Sequence, residues 1–251
     1  LMQLDKCLVT LGITHVCCTP AHWSTLGENV NSNNYKMLKF VSLGGEKMSI
    51  SLIKQWTIEQ RKDFSLINTY GVTEATVYQS INVMHRNSSP SDLGTPLPGI
   101  TFHLIMCNDD ENEDQKDQKD NKMKDKKQKL QFIYDTSQTG EICISGIQVA
   151  RGYLNRTLLT DSRFVACDIK DTTATAAATI TTNKICLYRT GDVGRWNENG
   201  TLELFGRIDR QVKLRGRRVE LSEIESILET IYNNIFSNEP TRHVFVDVIE
   251  I

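Results

Sequence analysis

A repeated order of apolar strand, turn and helix over residues 3–67 constrains the fold of this chain most strongly. The apolar run 13–18 stops at Thr19-Pro20, and the run 39–43 stops at Gly44-Gly45. The predicted elements are a helix over 3–12, strands over 13–18, 39–43 and 64–67, and a helix from Ser49 to about Lys62. Strands that alternate with helices predict an α/β fold with a helix-covered parallel sheet.

After Pro90 the pattern changes, because strand-like runs follow one another without helices between them. These runs cover 101–107, 131–135, 140–146, 185–189, 201–205 and 211–214. They predict a smaller, mostly antiparallel β subdomain. From about residue 221 the spacing becomes helical, with Ser222 and Glu225 in a capping-box pattern, and a final strand is expected over 243–251.

Two biased segments interrupt the β region. Residues 108–129 consist almost wholly of Asp, Glu, Asn, Gln and Lys, and residues 171–184 are rich in Thr and Ala. Such compositions bury too little apolar surface to order themselves, which predicts disordered surface insertions. A docking role is the alternative interpretation of the first segment.

Composition excludes several classes of function. The 251 residues carry a net charge of -2, so nothing indicates binding to nucleic acid or to an anionic membrane. No apolar run reaches the roughly 20 residues of a membrane span, and the N-terminus has no signal-peptide pattern. The seven cysteines form no C-x-x-C pair, which favours a reducing, cytoplasmic location. Since the chain opens within a helical pattern and stops within a strand pattern, we expect a fragment.

The segment from Asn68 to Glu74 directly follows the third predicted strand. Parallel α/β sheets bind ligands at the carboxyl ends of their strands. Tyr70 offers a ring to stack on a base, Thr73 a hydroxyl for a phosphate, and Glu74 a hard oxygen ligand for Mg²⁺. The alternative is a tyrosine in a turn and a glutamate at a helix start.

The run Tyr70-Gly71-Val72-Thr73-Glu74 resembles the Tyr-Gly-x-Thr-Glu signature of the adenylate-forming (AMP-binding) superfamily. Further stretches resemble it in the same order, namely 140–146 with 149–154, 188–192 and 206–225, together with the turn 42–46. The sequence of residues 207–216 is most similar to the corresponding motif in amino-acid adenylation domains of nonribosomal peptide synthetases. The resemblance implies the acetyl-CoA synthetase/luciferase-like α/β fold. Residues 1–208 would form the later part of the large core with its β-barrel-like subdomain, and 209–251 the beginning of the α+β lid.

The resemblance also implies roles for single residues. Tyr70 would stack on the adenine, with Asn68 or its neighbours near the base edge, and Gly71 would belong to the nucleotide-binding set. Thr73 and Glu74 would hold the phosphates and Mg²⁺. Asp192 would accept hydrogen bonds from the ribose hydroxyls, since a carboxylate can accept both. Arg207 would contact the ribose or phosphate and would act in catalysis with Thr73 and Glu74. The lid would turn about Asp209.

Other matched positions are less specific. The substrate pocket of the family maps onto Cys17, Val41, Leu43, Gly44, Thr69, Val77 and Tyr78, a mixed set that suits a medium-sized, moderately apolar side chain. Ordinary core packing also predicts Val and Leu at such positions. The basic run of Lys213, Arg215, Arg217 and Arg218 either faces the nucleotide or the acyl acceptor, or forms a solvated basic strand.

The implied reaction uses ATP and Mg²⁺ to convert a carboxylic acid, here an amino acid, into an acyl-adenylate. A thiol then takes the acyl group, either the phosphopantetheine of a carrier domain or coenzyme A. The phosphate loop and the lid lysine of the family match nothing in these residues, so we expect no ATP–pyrophosphate exchange from them alone. The alternatives are an acyl-CoA synthetase and a non-catalytic nucleotide-binding remnant.

Overall fold

A computed structural model describes residues 4–57, 61–107, 130–170, 182–209, 211–214, 217–235 and 246–247. The chain divides into two compact units. The first unit comprises residues 1–69, 82–90 and 207–251, and the second comprises residues 70–81 and 91–206. The division at 208/209 that the resemblance implies stays a prediction.

The first unit contains a parallel sheet with helices, as the alternating pattern predicts. Its elements are α1 (Leu4–Thr10), β1 (His15–Cys18), α2 (Pro20–Trp23), β2 (Phe40–Gly44), α3 (Ile50–Thr57) and β3 (Ser65–Tyr70), the last residue of which belongs to the second unit. Strand β2 pairs in parallel with β1 on one side and with β3 on the other. The prediction of a parallel α/β region is therefore confirmed.

The core of this unit forms around two tryptophans that the helices supply. Trp23 and Trp56 are fully buried, with ring centroids 4.8 Å apart. Helix α3 begins where predicted, because the Ser49 hydroxyl accepts a hydrogen bond from the Leu52 N–H at 3.1 Å. The helix ends at Thr57 and does not reach Lys62, which lies in a turn.

The second unit is built on antiparallel strands. It contains β5 (Thr95–Pro96), β6 (Ile100–Ile105), β7 (Phe132–Ile133), β8 (Thr139–Gly146), α4 (Thr157–Arg163), β9 (Phe164–Lys170), β10 (Thr182–Trp196) and β11 (Leu202–Arg207), the last residue of which belongs to the first unit. Strand β4 (Ser80–Val83) begins in the second unit. The sheet order is β11-β10-β8-β6-β7, and β9 pairs with β10. The antiparallel β subdomain is confirmed, while α4 and β9 were not predicted.

The second predicted insertion needs a correction at its end. Residues 182–184 do not belong to an insertion, because they begin β10 and pair with Asp168 to Lys170 of β9. The rest of that segment, and the whole of 108–129, lie outside the described residues.

The chain continues with the antiparallel hairpin β12 (Gln211–Leu214) and β13 (Arg217–Glu220), followed by α5 (Leu221–Ile235). The predicted helix from residue 221 is thus confirmed. Of the strand predicted over 243–251, only residues 246–247 are described, and they carry no strand. None of the helices in the described ranges is long and apolar enough to span a membrane.

Candidate functional site

The turn after β3 has a backbone that few sequences can adopt. A Cβ atom at Gly71 would lie 1.9 Å from the carbonyl oxygen of Val77, so only glycine fits there. Residues 73–75 form a short 3-10 helix. Thr76 and Val77 follow with φ of 66° and 67°, which is costly for side chains branched at Cβ. The turn is therefore held in one shape by its surroundings.

A buried glutamine supplies much of that constraint. The Gln79 side chain accepts a hydrogen bond from the Val72 N–H at 2.7 Å and donates one to the Ala75 carbonyl at 2.5 Å. Its backbone N–H donates to the Tyr70 carbonyl at 2.8 Å. Gln79 thus fastens both arms of the turn, a role that the sequence analysis missed.

Two residues with predicted nucleotide roles meet in the second unit, although 122 positions separate them. The Tyr70 hydroxyl donates a hydrogen bond to Asp192 Oδ2 at 2.5 Å. Tyr70 is 6% exposed and Asp192 3%. The Tyr70 ring packs against Phe102, with centroids 6.0 Å apart, inside an apolar cluster. The structure therefore joins the predicted base residue to the predicted ribose residue.

An irregularity in β10 places Asp192. The register of β10 against β8 shifts between Arg189 and Val193. Within this bulge the Thr190 hydroxyl donates to the Ile142 carbonyl at 2.7 Å and accepts from the Asp192 N–H at 2.9 Å. Bulges re-aim side chains at functional sites, and this one fixes the Asp192 backbone.

A buried ion pair supports the bulge. Glu141 Oε2 accepts from Arg189 Nε at 2.9 Å, and a second Arg189 nitrogen lies 2.7 Å from the same oxygen. Glu141 Oε1 accepts from the Gly191 N–H at 3.0 Å. Nothing in the sequence indicated this pair, because Glu141 and Arg189 lie on different strands.

Glu74 lies in the turn with its carboxylate held by the neighbouring segment. Its Oε1 accepts from the Tyr153 hydroxyl at 2.7 Å, and its backbone carbonyl accepts from the Ala150 N–H at 2.8 Å. The Thr76 hydroxyl donates to the Gln148 carbonyl at 2.9 Å. Residues 148–153 therefore form one wall of the turn.

The donor chemistry of this turn fits a hard cation beside phosphate. Glu74 supplies carboxylate oxygens, and the neighbouring Thr73 is exposed and supplies a hydroxyl. In the described ranges, no three His, Cys, Asp or Glu side chains cluster as a metal site. Glu74 would therefore need substrate phosphates and water to complete a Mg²⁺ shell, as is usual for Mg²⁺.

In the first unit, Arg207 and Asp209 form a two-pronged ion pair. Arg207 Nε donates to Asp209 Oδ1 at 2.6 Å, and a terminal Arg207 nitrogen donates to Oδ2 at 2.8 Å. Asp209 Oδ1 also accepts from the Gln211 N–H at 3.3 Å. The predicted nucleotide arginine and the predicted hinge residue are thus tied together. Arg215 and Gly216, and the side chains of Lys213, Arg217 and Arg218, lie outside what is described.

Five predicted pocket residues lie on the three parallel strands. Gly44 pairs with Thr69, whose hydroxyl donates to the Leu43 carbonyl at 3.1 Å. Cys17 is exposed at the end of β1. Val41 and Leu43, by contrast, are fully buried in the tryptophan core.

The remaining predicted residues lie at the end of β3 or in the turn. Asn68 is buried in β3, opposite Leu43 of β2. Val77 and Tyr78 belong to the second unit, Val77 exposed and Tyr78 partly so.

Comparison with protein families gives one match that covers most of the chain. The family model described as "AMP-binding enzyme" matches residues 2–154. This stretch includes the turn with Gly71 and Glu74, and it extends through Tyr153.

Curated relatives are large peptide synthetases. The chain is 34% identical over 247 residues to a probable non-canonical nonribosomal peptide synthetase, CymA, of Salinispora arenicola, covering 97% of the chain and 3% of that relative. It is 30% identical over 227 residues to gramicidin S synthase 2 of Brevibacillus brevis, covering 90% of the chain and 4% of the relative. The chain therefore spans only a few per cent of these relatives.

Solved structures establish the fold. The holo form of PA1221, an NRPS protein containing adenylation and PCP domains, matches with a TM-score of 0.70 and 23% identity, over 90% of this chain and 34% of that one. The Vibrio cholerae adenylation domain AlmE, in complex with glycyl-adenosine-5'-phosphate, matches with a TM-score of 0.66 and 22% identity, over 90% and 37%. The predicted adenylation-domain fold class, present in part, is confirmed.

Proposed function

Because the chain belongs to the AMP-binding enzyme family, we propose that it is the part of an adenylation domain that holds the adenosine and the metal. The reaction is ATP-dependent activation of a carboxylic acid, an amino acid by likeness to the peptide synthetases. The acid carboxylate attacks the α-phosphate, which gives an acyl-adenylate and pyrophosphate. Catalysis of this kind depends on positioning and charge neutralisation.

One observation carries the proposal, namely the hydrogen bond from Tyr70 to Asp192. A carboxylate that is fixed through one oxygen keeps lone pairs for further donors, and the two ribose hydroxyls are such donors. In this proposal Asp192 binds the ribose and Tyr70 orients Asp192. Since Tyr70 is 6% exposed, stacking of adenine on its ring would require neighbouring atoms to move away from the ring.

The metal site is proposed at Glu74, with Thr73 as a phosphate contact. Glu74 is the carboxylate of the turn, and its orientation is set by Tyr153. Bound Mg²⁺ would supply neutralisation of phosphate charge. Gly71 permits the turn that brings these groups to the end of β3.

Arg207 and Asp209 are proposed to work together at the start of the lid. The Arg207 guanidinium is always charged, and its planar set of N–H donors suits ribose or phosphate oxygens. Arg207 is paired with Asp209. It would have to break this ion pair and contact the nucleotide instead when the backbone turns at Asp209. The hinge role and the catalytic role stay proposals.

The acyl acceptor is proposed to be the phosphopantetheine of a carrier domain. Solved relatives of the same fold are described as containing adenylation and PCP domains. For the acid, the proposed substrate residues are Cys17, Gly44 and Thr69 in the first unit and Val77 and Tyr78 in the second. Val41 and Leu43 are fully buried, so we propose that they shape the substrate site through packing and not through direct contact.

The experiment is ATP–pyrophosphate exchange on the full-length protein with a panel of amino acids and of fatty and aryl acids. Exchange that depends on one amino acid supports the proposal. Exchange only with fatty or aryl acids, followed by transfer to coenzyme A, would make the protein an acyl-CoA synthetase. No exchange with any acid, together with retained ATP binding, would indicate a non-catalytic nucleotide-binding remnant. That the 251 residues alone give no exchange, and that the protein is cytoplasmic, stay predictions.

A further inference from the structure

Two tyrosines from separate sequence motifs converge on Glu74. The Tyr153 hydroxyl donates to Glu74 Oε1 at 2.7 Å and lies 3.2 Å from the Tyr188 hydroxyl. We propose that Tyr153 and Tyr188 are positioning residues that fix the Glu74 carboxylate for the metal. This inference rests on the function proposed above and deepens it.

The backbone of Tyr153 is held by α4. The Tyr153 N–H donates to the Thr160 hydroxyl at 2.9 Å. Gly152 precedes it with φ of 141°, and a Cβ there would lie 2.4 Å from Thr160 Cγ2. The chain can therefore pass close to Thr160 only with glycine at 152, and this close approach sets the direction in which Tyr153 projects.

The two rings are held by a shared aromatic neighbour. Phe164 lies edge-on to Tyr153 at 5.4 Å between centroids, and 4.9 Å from Tyr188. Tyr188 is almost fully buried in the same apolar cluster. Such packing leaves the rings one orientation each, so the hydroxyl positions are defined before any ligand arrives.

Each tyrosine hydroxyl carries one proton, so the direction of the hydrogen bonds is fixed. Tyr153 donates to Glu74 Oε1, and Tyr188 donates to the Tyr153 oxygen. The carboxylate therefore accepts from a donor whose own position is fixed by a second tyrosine.

A carboxylate on a turn otherwise samples several rotamers, and each lost rotamer costs entropy when a metal binds. Removing a group that hydrogen-bonds and orients a metal ligand typically weakens metal binding by about 10–100-fold. Tyr153 and Tyr188 therefore have a positioning role that the sequence motifs containing them did not reveal.

The test compares Tyr153→Phe and Tyr188→Phe in the full-length protein, each removing only a hydroxyl. Tyr134→Phe is the matched control, because Tyr134 is 75% exposed. Two quantities are measured: the Mg²⁺ concentration for half-maximal exchange, and Mn²⁺ binding in the presence of ATP by electron paramagnetic resonance.

For Tyr153→Phe we expect the half-maximal Mg²⁺ concentration and the Mn²⁺ Kd to rise by about 10-fold or more, with the KM of the acid unchanged. Tyr188→Phe should change both in the same direction by a smaller factor, because its contact with Glu74 runs through Tyr153. Unchanged metal affinity in both variants, or an equal loss in every kinetic parameter, would overturn the inference. A parent protein that binds no ATP would instead contradict the proposed function.

Discussion

Replacing Glu141 by Gln tests how the structure holds Asp192. The Glu141 and Arg189 side chains are 1% and 13% exposed, so water can compensate little of either charge. The variant keeps the shape of the side chain and removes its charge, leaving the Arg189 guanidinium buried without its carboxylate. Breaking one partner of a buried pair costs about 3–5 kcal/mol.

The contacts give a similar figure. Glu141 Oε2 accepts a hydrogen bond from Arg189 Nε and lies 2.7 Å from a second Arg189 nitrogen, while Oε1 accepts from the Gly191 N–H. A hydrogen bond to a charged group contributes about 1.5–3 kcal/mol, so loss of the two arginine bonds costs roughly 3–6 kcal/mol by the same rule. At about 2–4 °C per kcal/mol for a chain of this size, a loss of about 3–5 kcal/mol should lower the midpoint temperature of thermal unfolding by roughly 6–20 °C.

The assay is urea and thermal unfolding of parent, Glu141→Gln and a control, Asp63→Asn. Asp63 pairs with Lys39 at the surface, and its loss should leave the midpoint unchanged, since exposed pairs contribute little. The double variant E141M/R189M should recover most of the loss, because apolar replacement of both partners removes the uncompensated charge.

A Glu141→Gln midpoint equal to that of the parent would refute this reasoning. So would a double variant less stable than both single variants. Either result would mean that the bulge in β10 does not depend on the buried pair.

Three further predictions follow from the turn and the sheet. Gly71→Ala should abolish ATP binding measured by calorimetry. Gly200→Ala, at an open turn with φ of 80°, should not. Equal ATP binding by both variants would contradict the inference that only glycine fits at position 71. Gln79→Ala should cost about 2–5 kcal/mol in urea unfolding, because it leaves the Val72 N–H and the Ala75 carbonyl buried without their partner; a change below about 1 kcal/mol would contradict it. Burial lowers the pKa of His103 from 6.5 to about 4, so the unfolded state takes up a proton at a higher pH than the folded state does. Stability should therefore fall as the pH drops from 6.5 to 4, at up to about 1.4 kcal/mol per pH unit. His103→Gln should remove this slope, and an unchanged slope would assign it to other groups.

The sequence predicted those features that depend on local pattern. The alternation of strands and helices up to residue 67, the antiparallel strands after Pro90 and the cap at Ser49 all appear in the structure. Each of these features depends on the spacing of apolar residues or on a side chain that hydrogen-bonds a residue close to it in sequence. Both can be recognised from neighbouring residues in the sequence.

Features that depend on distant pairing could not be read in this way. Tyr153 and Glu74 are separated by 79 positions, and Glu141 and Arg189 by 48. Only the register of β8 against β10 determines that the latter two meet. Gln79 bonds backbone atoms of a left-handed turn, for which no periodic pattern exists.

The missed elements have a physical reason as well. Helix α4 is seven residues long and lacks a side-chain cap, so it carries few of the usual start signals. Strand β9 pairs along β10 from Thr182 to Tyr188. The Thr/Ala-rich composition before residue 182 obscured where β10 begins.

Equilibrium binding of ATP with Mg²⁺ to the full-length protein, measured by calorimetry on parent, Asp192→Ala and Asp168→Ala, tests the central claim most directly. Asp168 is exposed on β9 and serves as the matched control. Asp192→Ala should weaken binding by about 2–4 kcal/mol, through loss of charge-assisted hydrogen bonds to the ribose, while Asp168→Ala should not. Equal affinity in all three proteins, with Asp192→Ala still folded, would contradict the assignment of Asp192 to the nucleotide site.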